Sequence, residues 1–249
     1  MADEPASSNG PRLFVDETLA EGRTLALPTA QSHYLSGVMR LKAGDGVRLF
    51  DDRSGEWQAV IADAGRKSVT VTVRARLAGR EAVPDLWLCA APIKRGRIDW
   101  VAEKACELGV ARLLPVLTRR TVVDKLNLDR LRAHMIEAAE QCGRTALPEV
   151  AEPVTLAKLL DGWPAERQLV FCDEAGGDAF AGALTPGPAA ILIGPEGGFD
   201  PAERARIRAL PQAVGVSIGP RILRADTAAV AAIALWQAAV GDWKSAPCK

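Results

Sequence analysis

Two glycine-punctuated stretches lie near the C-terminus: AAILIGPEGGFDPAE at Ala189–Glu203, and VGVSIGPRILRADTAAVAAIALWQ at Val214–Gln237. Each begins with a short apolar run typical of a buried strand, passes through a Gly-Pro turn and continues into a helix. In the first stretch Asp200 is a helix-capping residue, Pro201 suits the first helical position, and Glu203 completes a capping box. Two such units in succession predict that both loops leave the same edge of a parallel sheet, where open α/β sheets bind ligands.

Neither loop matches the glycine patterns that hold phosphates or dinucleotides, and no Lys follows the glycines of residues 194–198. Most strand-to-helix loops bind nothing, so either loop alone is weak support for a site. The pair is stronger, because it concentrates rigid proline and small glycine where the fold already forms a crevice. A binding site for a ligand other than a nucleotide phosphate is therefore predicted.

From Asp85 onward, strand patterns such as DLWLCAAPIK alternate with helix patterns such as RIDWVAEKACELGV. This alternation predicts an α/β domain with a mostly parallel sheet, covered on both faces. The helix that begins near Arg97 has apolar residues at three- and four-residue spacing, with Gly109 at its end. Its predicted buried face comprises Ile98, Val101, Ala102, Ala105 and Leu108.

The N-terminal part, residues 12–79, is rich in strand patterns, including the alternation of Val69, Val71 and Val73 with polar residues. It predicts a small β-barrel domain. Thr29 is expected to cap a helix through AQSHYLSGVMR with a buried apolar face. That face comprises Tyr34, Leu35, Val38, Met39 and Leu41. Residues 1–11 are predicted to be a disordered tail and residues 80–84 a linker.

Composition indicates an ordinary globular protein, with 249 residues of which 48% are hydrophobic and 25% charged. No signal peptide and no apolar run long enough to span a bilayer is found, so we expect a cytoplasmic protein without a membrane partner. The five cysteines are scattered and the chain has two histidines, so no metal site is expected. The net charge is zero, but residues 1–146 have a modest basic excess.

The stretches LIGPEGGF and SIGPRILRADTA resemble the 16S ribosomal RNA (uracil-N3)-methyltransferases of the SPOUT class, and the resemblance extends from Arg12 to about Gln237. It implies a SPOUT-type parallel sheet with a trefoil knot at residues 85–249, and a PUA-like RNA-binding domain at residues 12–79. At Ala225 and Asp226 the chain departs from the Thr-Glu that is commoner in the family.

The resemblance also implies S-adenosylmethionine as the cofactor. The matching cofactor-binding positions are Phe171, Ile193, Gly194, Gly198, Ile218, Arg221 and Leu223. The N3 proton of uracil must leave, because the neutral imide nitrogen has no available lone pair. Arg221 is a candidate to stabilise the charge that develops on uracil, and Glu196 is a candidate to assist proton removal. Alternatively, Glu196 only shapes its loop by accepting backbone N–H bonds.

Basic residues in both parts are candidates for contact with RNA, either free 16S ribosomal RNA or the assembled small subunit. The candidates are Arg12, Arg40, Lys42, Lys94, Arg95, Arg97 and Arg119. Two simpler interpretations stay open. Arg40 and Lys42 would be favoured at a helix end by the helix dipole, and the other cations could form a solvated edge.

The helix from Arg224 to about Val240 is apolar on nearly every face, which predicts that a second subunit covers it in a homodimer. Three alternative functions remain. The chain could be a SPOUT enzyme that acts on another RNA or base position. It could be an RNA-binding module without catalytic activity. It could be an unrelated α/β nucleotide enzyme, which the missing phosphate motifs disfavour.

Overall fold

The computed structural model describes residues 10–65, 68–123 and 125–244. Most of the predicted tail, residues 1–11, lies outside these ranges. The chain forms two compact units. The first comprises the residues up to Ala82 together with Ala139–Ala146, and the second comprises Val83–Ala138 and Leu147 onward. The predicted domain boundaries are near this division, but the return of residues 139–146 to the first unit was not predicted.

The N-terminal unit is built on one mixed five-stranded sheet in the order β1-β3-β4-β5-β2. Its strands are β1 (Arg12–Phe14), β2 (Thr24–Ala26), β3 (Gly46–Phe50), β4 (Glu56–Ala64) and β5 (Val69–Ala78). β1 runs parallel to β3, and the other neighbours are antiparallel. No pairing joins the edge strands β1 and β2 within the described ranges, so the predicted barrel is an open, curled sheet.

One face of this sheet is buried because apolar residues alternate along its strands. Val69, Val71 and Val73 are completely buried, as the period-two pattern predicted. Leu35 packs against them from the helical segment, which begins as α1 (Thr29–His33) and continues as a π-helical turn at Tyr34–Val38.

The helical segment corrects two predictions. Thr29 is the first helical residue, and Pro28, not Thr29, occupies the capping position without a side-chain hydrogen bond. Of the predicted buried face, Leu35 is buried and Leu41 is partly buried. The other three residues are exposed, at 39% for Tyr34, 61% for Val38 and 43% for Met39. The π-helical turn shifts these side chains away from the face that a regular α-helix would bury.

The C-terminal unit contains the predicted parallel sheet, with strands in the order β11-β13-β10-β12-β6-β7-β8 and with β9 paired to β7. Its strands are β6 (Leu86–Ala90), β7 (Arg112–Leu117), β8 (Glu149–Val150), β9 (Val154–Thr155), β10 (Gln168–Cys172), β11 (Asp178–Ala179), β12 (Ala189–Ile193) and β13 (Ala213–Ser217). Its helices are α2 (Arg97–Glu107), α3 (Leu128–Cys142), α4 (Leu156–Asp161), α5 (Pro201–Arg208) and α6 (Ala225–Ala239). The last residues of α3 belong to the N-terminal unit.

Sequence signals account for most of these elements. Ala189–Ile193 is completely apolar because β12 lies inside the sheet between β10 and β6. Helix α5 starts with the predicted capping box, in which Asp200 accepts the backbone N–H of Ala202 at 3.0 Å. The mixed α/β fold class is thus confirmed. The trefoil knot stays a prediction, because strand order describes neighbours in the sheet and not the threading of the chain.

Candidate functional site

The loops that follow β10, β12 and β13 enclose a cavity of about 640 Å³ at the carboxyl edge of the C-terminal sheet. β12 and β13 both pair in parallel with β10, so all three loops leave the sheet on the same side. This confirms the predicted meeting of the two Gly-Pro loops. Residues 172–176 form a third wall, and the start of α6 contributes Ala225 and Ala228.

Apolar side chains from both loops line one side of the cavity. Ile193 is buried at the end of β12, and Ile218 and Leu223 are half-buried in the second loop. Phe199 closes the cavity from the start of α5. These walls suit a flat, apolar ligand group such as a purine ring.

The prediction that Phe171 lines this cavity is wrong. Its ring is completely buried in the core and packs edge-on against Phe199, with ring centroids 5.2 Å apart. Because alternate residues of a strand point to opposite faces, the adjacent Cys172 reaches the cavity instead. Phe171 therefore supports the wall from behind.

Two of the predicted cofactor-binding residues are glycines at positions where a Cβ atom would lie too close to a neighbouring side chain. A Cβ atom at Gly194 would lie 2.6 Å from the Phe199 ring. Gly198 has a φ of +67°, and a Cβ atom there would lie 2.2 Å from a carboxylate oxygen of Glu174. The left-handed backbone favours glycine at position 198, and a side chain there would also displace the carboxylate of Glu174.

A carboxylate pair at the end of β10 is fixed by arginines from α5. The Asp173 side chain is only 1% exposed, and Arg204 and Arg208 lie 3.2 Å and 2.7 Å from it. Arg204 also pairs with Glu174 at 2.9 Å. The buried charge of Asp173 is thus compensated, and the third wall is fastened to the helix that follows the first loop. Sequence reasoning missed this cluster, although Arg204 and Arg208 share one face of a helix at four-residue spacing.

Arg97 links the two Gly-Pro stretches across the cavity. Its guanidinium lies 3.1 Å from Glu196 in the first loop and 3.8 Å from Asp226 in the first turn of α6. Arg97 thus forms part of the cavity wall, and its predicted contact with RNA stays a prediction. Glu196 accepts a hydrogen bond from this guanidinium, a partner that the alternative of backbone N–H donors did not anticipate.

Arg221 projects beside the cavity from the second loop. It is exposed, and within the described ranges it has no ion-pair partner. The adjacent Ile222 is 89% exposed. An uncompensated guanidinium at the mouth of a cavity can bind an anionic or electron-rich group of a ligand.

Burial raises the pKa of the Cys172 thiol in this cavity to about 12, and burial likewise raises the pKa of Cys89 to about 12. Both thiols therefore stay protonated at neutral pH, and neither is a thiolate nucleophile. The described part of the chain contains no cluster of His, Cys, Asp or Glu side chains that could hold a metal ion. Nor does it contain a helix long and apolar enough to cross a bilayer.

Five of the other predicted RNA-contacting residues are exposed. Lys94 and Arg95 are exposed after β6, and the Arg119 side chain is 68% exposed while pairing with Asp200 at 3.1 Å. In the N-terminal unit, Arg40 and Lys42 are exposed.

Arg12 corrects the prediction for the N-terminal unit, because its side chain is 3% exposed and pairs with Glu56 at 2.9 Å. It also donates to the backbone oxygens of Ala139 and Arg144. A buried guanidinium with these partners has a structural role instead of the predicted contact with RNA.

Comparisons with known proteins match both units of the chain. A family model described as an RNA methyltransferase domain matches residues 80–237, and one described as an RNA methyltransferase PUA domain matches residues 27–74. The chain is 30% identical over 229 residues to ribosomal RNA small subunit methyltransferase E of Rickettsia conorii, covering 90% of this chain and 93% of that protein. It is 32% identical over 222 residues to the protein of the same name from Synechocystis, covering 85% and 72%.

Two solved structures are similar over almost the whole chain. A methyltransferase of Legionella pneumophila in complex with bound cofactor SAM superposes with a TM-score of 0.86 at 30% identity, covering 94% of this chain and 99% of that one. Ribosomal RNA small subunit methyltransferase E of Neisseria gonorrhoeae, bound to S-adenosyl methionine, gives a TM-score of 0.85 at 28% identity with the same coverage.

Proposed function

This chain belongs to the RNA methyltransferase family, and we propose that it transfers the methyl group of S-adenosylmethionine to N3 of a uridine in 16S ribosomal RNA of the small subunit. The observation that carries the proposal is the cavity between the two Gly-Pro loops. The two similar solved structures each contain the same cofactor. Among the alternatives, an unrelated nucleotide enzyme does not agree with the family match.

The residues of the cavity fit this cofactor. A volume of about 640 Å³ lies within the range of sites for ligands of this size. Ile193, Ile218 and Leu223 would enclose the adenine, and Gly194 and Gly198 would allow backbone atoms to approach it. Arg224 makes no side-chain cap at the start of α6, beside the cavity. The Thr227 N–H donates to the Asp226 carboxylate at 2.9 Å, so only the N–H groups of Ala225 and Asp226 would be available to a carboxylate of the ligand.

When bound, S-adenosylmethionine supplies an electrophilic methyl group on a sulfonium. The residues of the chain must orient the uracil, exclude water and remove the N3 proton. Arg221 stabilises the negative charge that develops on a uracil oxygen as the proton leaves. Glu196, held in position by Arg97, accepts the proton directly or through one water molecule.

A methyl-transfer assay with labelled S-adenosylmethionine and small subunits from cells that lack the protein tests this function. The wild-type protein is expected to place the label on N3 of one uridine, as shown by mass spectrometry of nucleosides from mapped fragments. Glu196→Gln is expected to lower kcat by roughly 100-fold with cofactor affinity largely kept. Arg221→Gln is expected to lower kcat by a similar factor and, because Arg221 is also a predicted cofactor-binding residue, to weaken cofactor binding. Label on another base position, or no label on either small subunits or free 16S RNA, would contradict the proposal. A parallel assay with free 16S RNA identifies which form is the substrate.

We assign RNA anchoring to residues 12–79 and methyl transfer to residues 85–249, with residues 80–84 as the linker between them. The match of a PUA-domain model to residues 27–74 supports this division. Exposed Arg40 and Lys42 would contact phosphates from the N-terminal unit, and Lys94, Arg95 and Arg119 from the C-terminal unit. An enzyme that modifies ribosomal RNA works where ribosomes are assembled, so we place it in the cytoplasm.

We further propose a homodimer that forms through α6. The inner face of α6 is buried by Ala229, Ala232, Ile233 and Trp236, whereas Leu235 is 41% exposed on the outer face. Trp100 on α2, which packs against α6, and Trp243 just after α6 are also exposed. Two exposed tryptophans and an exposed leucine on α6 and the elements that contact it suit a self-complementary interface between two copies.

Leu235→Glu is expected to convert the dimer to a folded monomer, because it places a charge at an exposed apolar position of α6. Ala232→Glu would not test the interface, since Ala232 is completely buried within its own subunit. Ala205→Glu on the exposed face of α5 is the matched control and should remain dimeric. Light scattering at micromolar concentration measures the mass. A monomeric wild-type protein, or a dimeric Leu235→Glu variant, would show that α6 does not form the interface.

A further inference from the structure

We propose that the π-helical turn of the N-terminal unit is a stacking surface for an unpaired RNA base. This inference deepens the proposed function, since it rests on RNA binding by that unit. Tyr34, Val38 and Met39 are large apolar side chains that remain 39%, 61% and 43% exposed. Exposed apolar side chains that cluster on one element of a small unit indicate a binding surface more often than chance exposure.

The geometry of the turn places these side chains together. The backbone N–H of Met39 donates to the carbonyl of Tyr34 at 2.9 Å, which is the five-residue spacing of a π-helix. Met39 and Val38 therefore lie one turn above Tyr34 on the same face. Leu35 is completely buried and fixes the turn to the core. Single π-helical turns are rare and occur frequently at functional sites.

The side chain of His33, the residue before the π-helical turn, provides a second ring. The His33 ring packs directly over Gly37, since a Cβ atom at position 37 would lie 2.8 Å from that ring. His33 is itself exposed and precedes Tyr34 in the sequence, so two exposed rings lie at the start of this turn. Tyr and His rings are side chains on which proteins stack unpaired bases.

The charge around the turn favours a nucleic acid over other occupants. From Thr29 to Lys42 the sequence contains Arg40 and Lys42 and no Asp or Glu. Arg40 has the left-handed φ of +56° that commonly ends a helix, and the next backbone N–H, that of Leu41, donates to the carbonyl of Leu35 at 2.9 Å. Apolar rings next to exposed cations match a single-stranded segment, in which a base stacks while the adjacent phosphates contact the cations. Duplex RNA offers no free base face to such a surface.

Fluorescence anisotropy with a labelled ten-nucleotide oligouridine, and with a duplex RNA of equal length, tests this surface. Tyr34→Ala is expected to weaken oligouridine binding roughly 5- to 100-fold, because a stacking contact is lost. The slope of log affinity against log salt should not change, since no phosphate contact is lost. Tyr34→Phe keeps the ring and should bind as the wild type does. Duplex binding should be the same for all three proteins.

The matched comparison is the double variant Arg40→Gln with Lys42→Gln. It should flatten the salt dependence by about 0.7 log–log units for each lost phosphate contact. If Tyr34→Ala binds oligouridine as tightly as the wild type while the double variant binds weakly, stacking is wrong but RNA anchoring by this unit stands. If neither variant differs from the wild type, both are wrong, although methyl transfer could still occur. Equal losses on duplex and single strand, or wild-type protein that does not bind oligouridine, would also overturn the stacking proposal. Because Tyr34 is exposed, the variants should unfold at the wild-type temperature.

Discussion

Ala228→Phe is expected to abolish binding of S-adenosylmethionine while leaving the protein folded. Ala228 lies on the second turn of α6 and lines the cavity between the two Gly-Pro loops. It is half-buried, so a larger side chain can turn into the cavity without displacing the core. A phenyl ring would occupy volume that the cofactor needs. We expect affinity to fall by at least about 100-fold, which corresponds to roughly 3 kcal/mol.

Isothermal calorimetry with S-adenosylmethionine measures this effect, and thermal unfolding without ligand checks the fold. Ala205→Phe is the matched control, because it makes the same change on an exposed helical position outside the cavity. Gly198 is a less suitable position, since any side chain there combines left-handed backbone strain with the displacement of Glu174. Unchanged heat from the folded Ala228→Phe variant would remove this cavity from the cofactor site. No heat from the wild-type protein would instead favour the alternative of an RNA-binding module without catalytic activity.

The architecture of the C-terminal unit was accessible from sequence because its signals are local. A strand, a Gly-Pro turn and a capping box at Asp200 each involve residues only a few positions apart. Parallel strands place their carboxyl ends together by geometry alone, so the meeting of the two loops followed from the pattern. The ion pairs of the cavity wall could not be predicted from this pattern, because Arg97, Glu196 and Asp226 come from three separate elements.

The predictions that the structure does not support concern residues whose surroundings are decided by tertiary contacts. Phe171 and Cys172 are adjacent at the end of a strand and point to opposite faces, and the tertiary packing of Phe171 against Phe199 places Cys172 at the cavity. At Tyr34 the periodicity suggested an α-helix with a buried face, but the π-helical turn changes which residues point outward. No local sequence pattern predicts a π-helical turn. It differs from an α-helix only in that each backbone hydrogen bond spans one additional residue.

The role of Arg12 could not be predicted from local sequence patterns, because its partners are far away in sequence. Glu56 is 44 residues away, and the carbonyls of Ala139 and Arg144 are 127 and 132 residues away. The guanidinium also stacks over Phe50 at 3.8 Å from the ring centroid. A basic residue at the start of a strand therefore resembled an exposed cation in the sequence, although it joins residues 139–146 to the sheet of the N-terminal unit.

Arg12→Ala is expected to destabilise the N-terminal unit by about 3–5 kcal/mol. Removing one partner of a buried ion pair leaves the other charge poorly solvated, and Glu56 is only 11% exposed at its side chain. The carbonyl of Arg144 would also lose its guanidinium donor. Arg48→Ala is the matched control. Arg48 pairs with the same carboxylate at 3.3 Å but is 37% exposed, so its loss should cost less than about 1 kcal/mol.

Hydrogen exchange of the amides in β1, β3 and β4 measures this loss within the unit, which is useful because two units need not unfold together. The folded fraction of Arg12→Ala should keep the wild-type salt dependence of RNA binding, since Arg12 does not reach the surface. Adding Glu56→Leu should recover part of the stability, because it removes a buried charge that only the half-exposed Arg48 would still compensate. The structural role would be contradicted if Arg12→Ala were as stable as the wild type but its RNA affinity depended less steeply on salt concentration. Arg12 would then be the phosphate contact that its position in the sequence suggested.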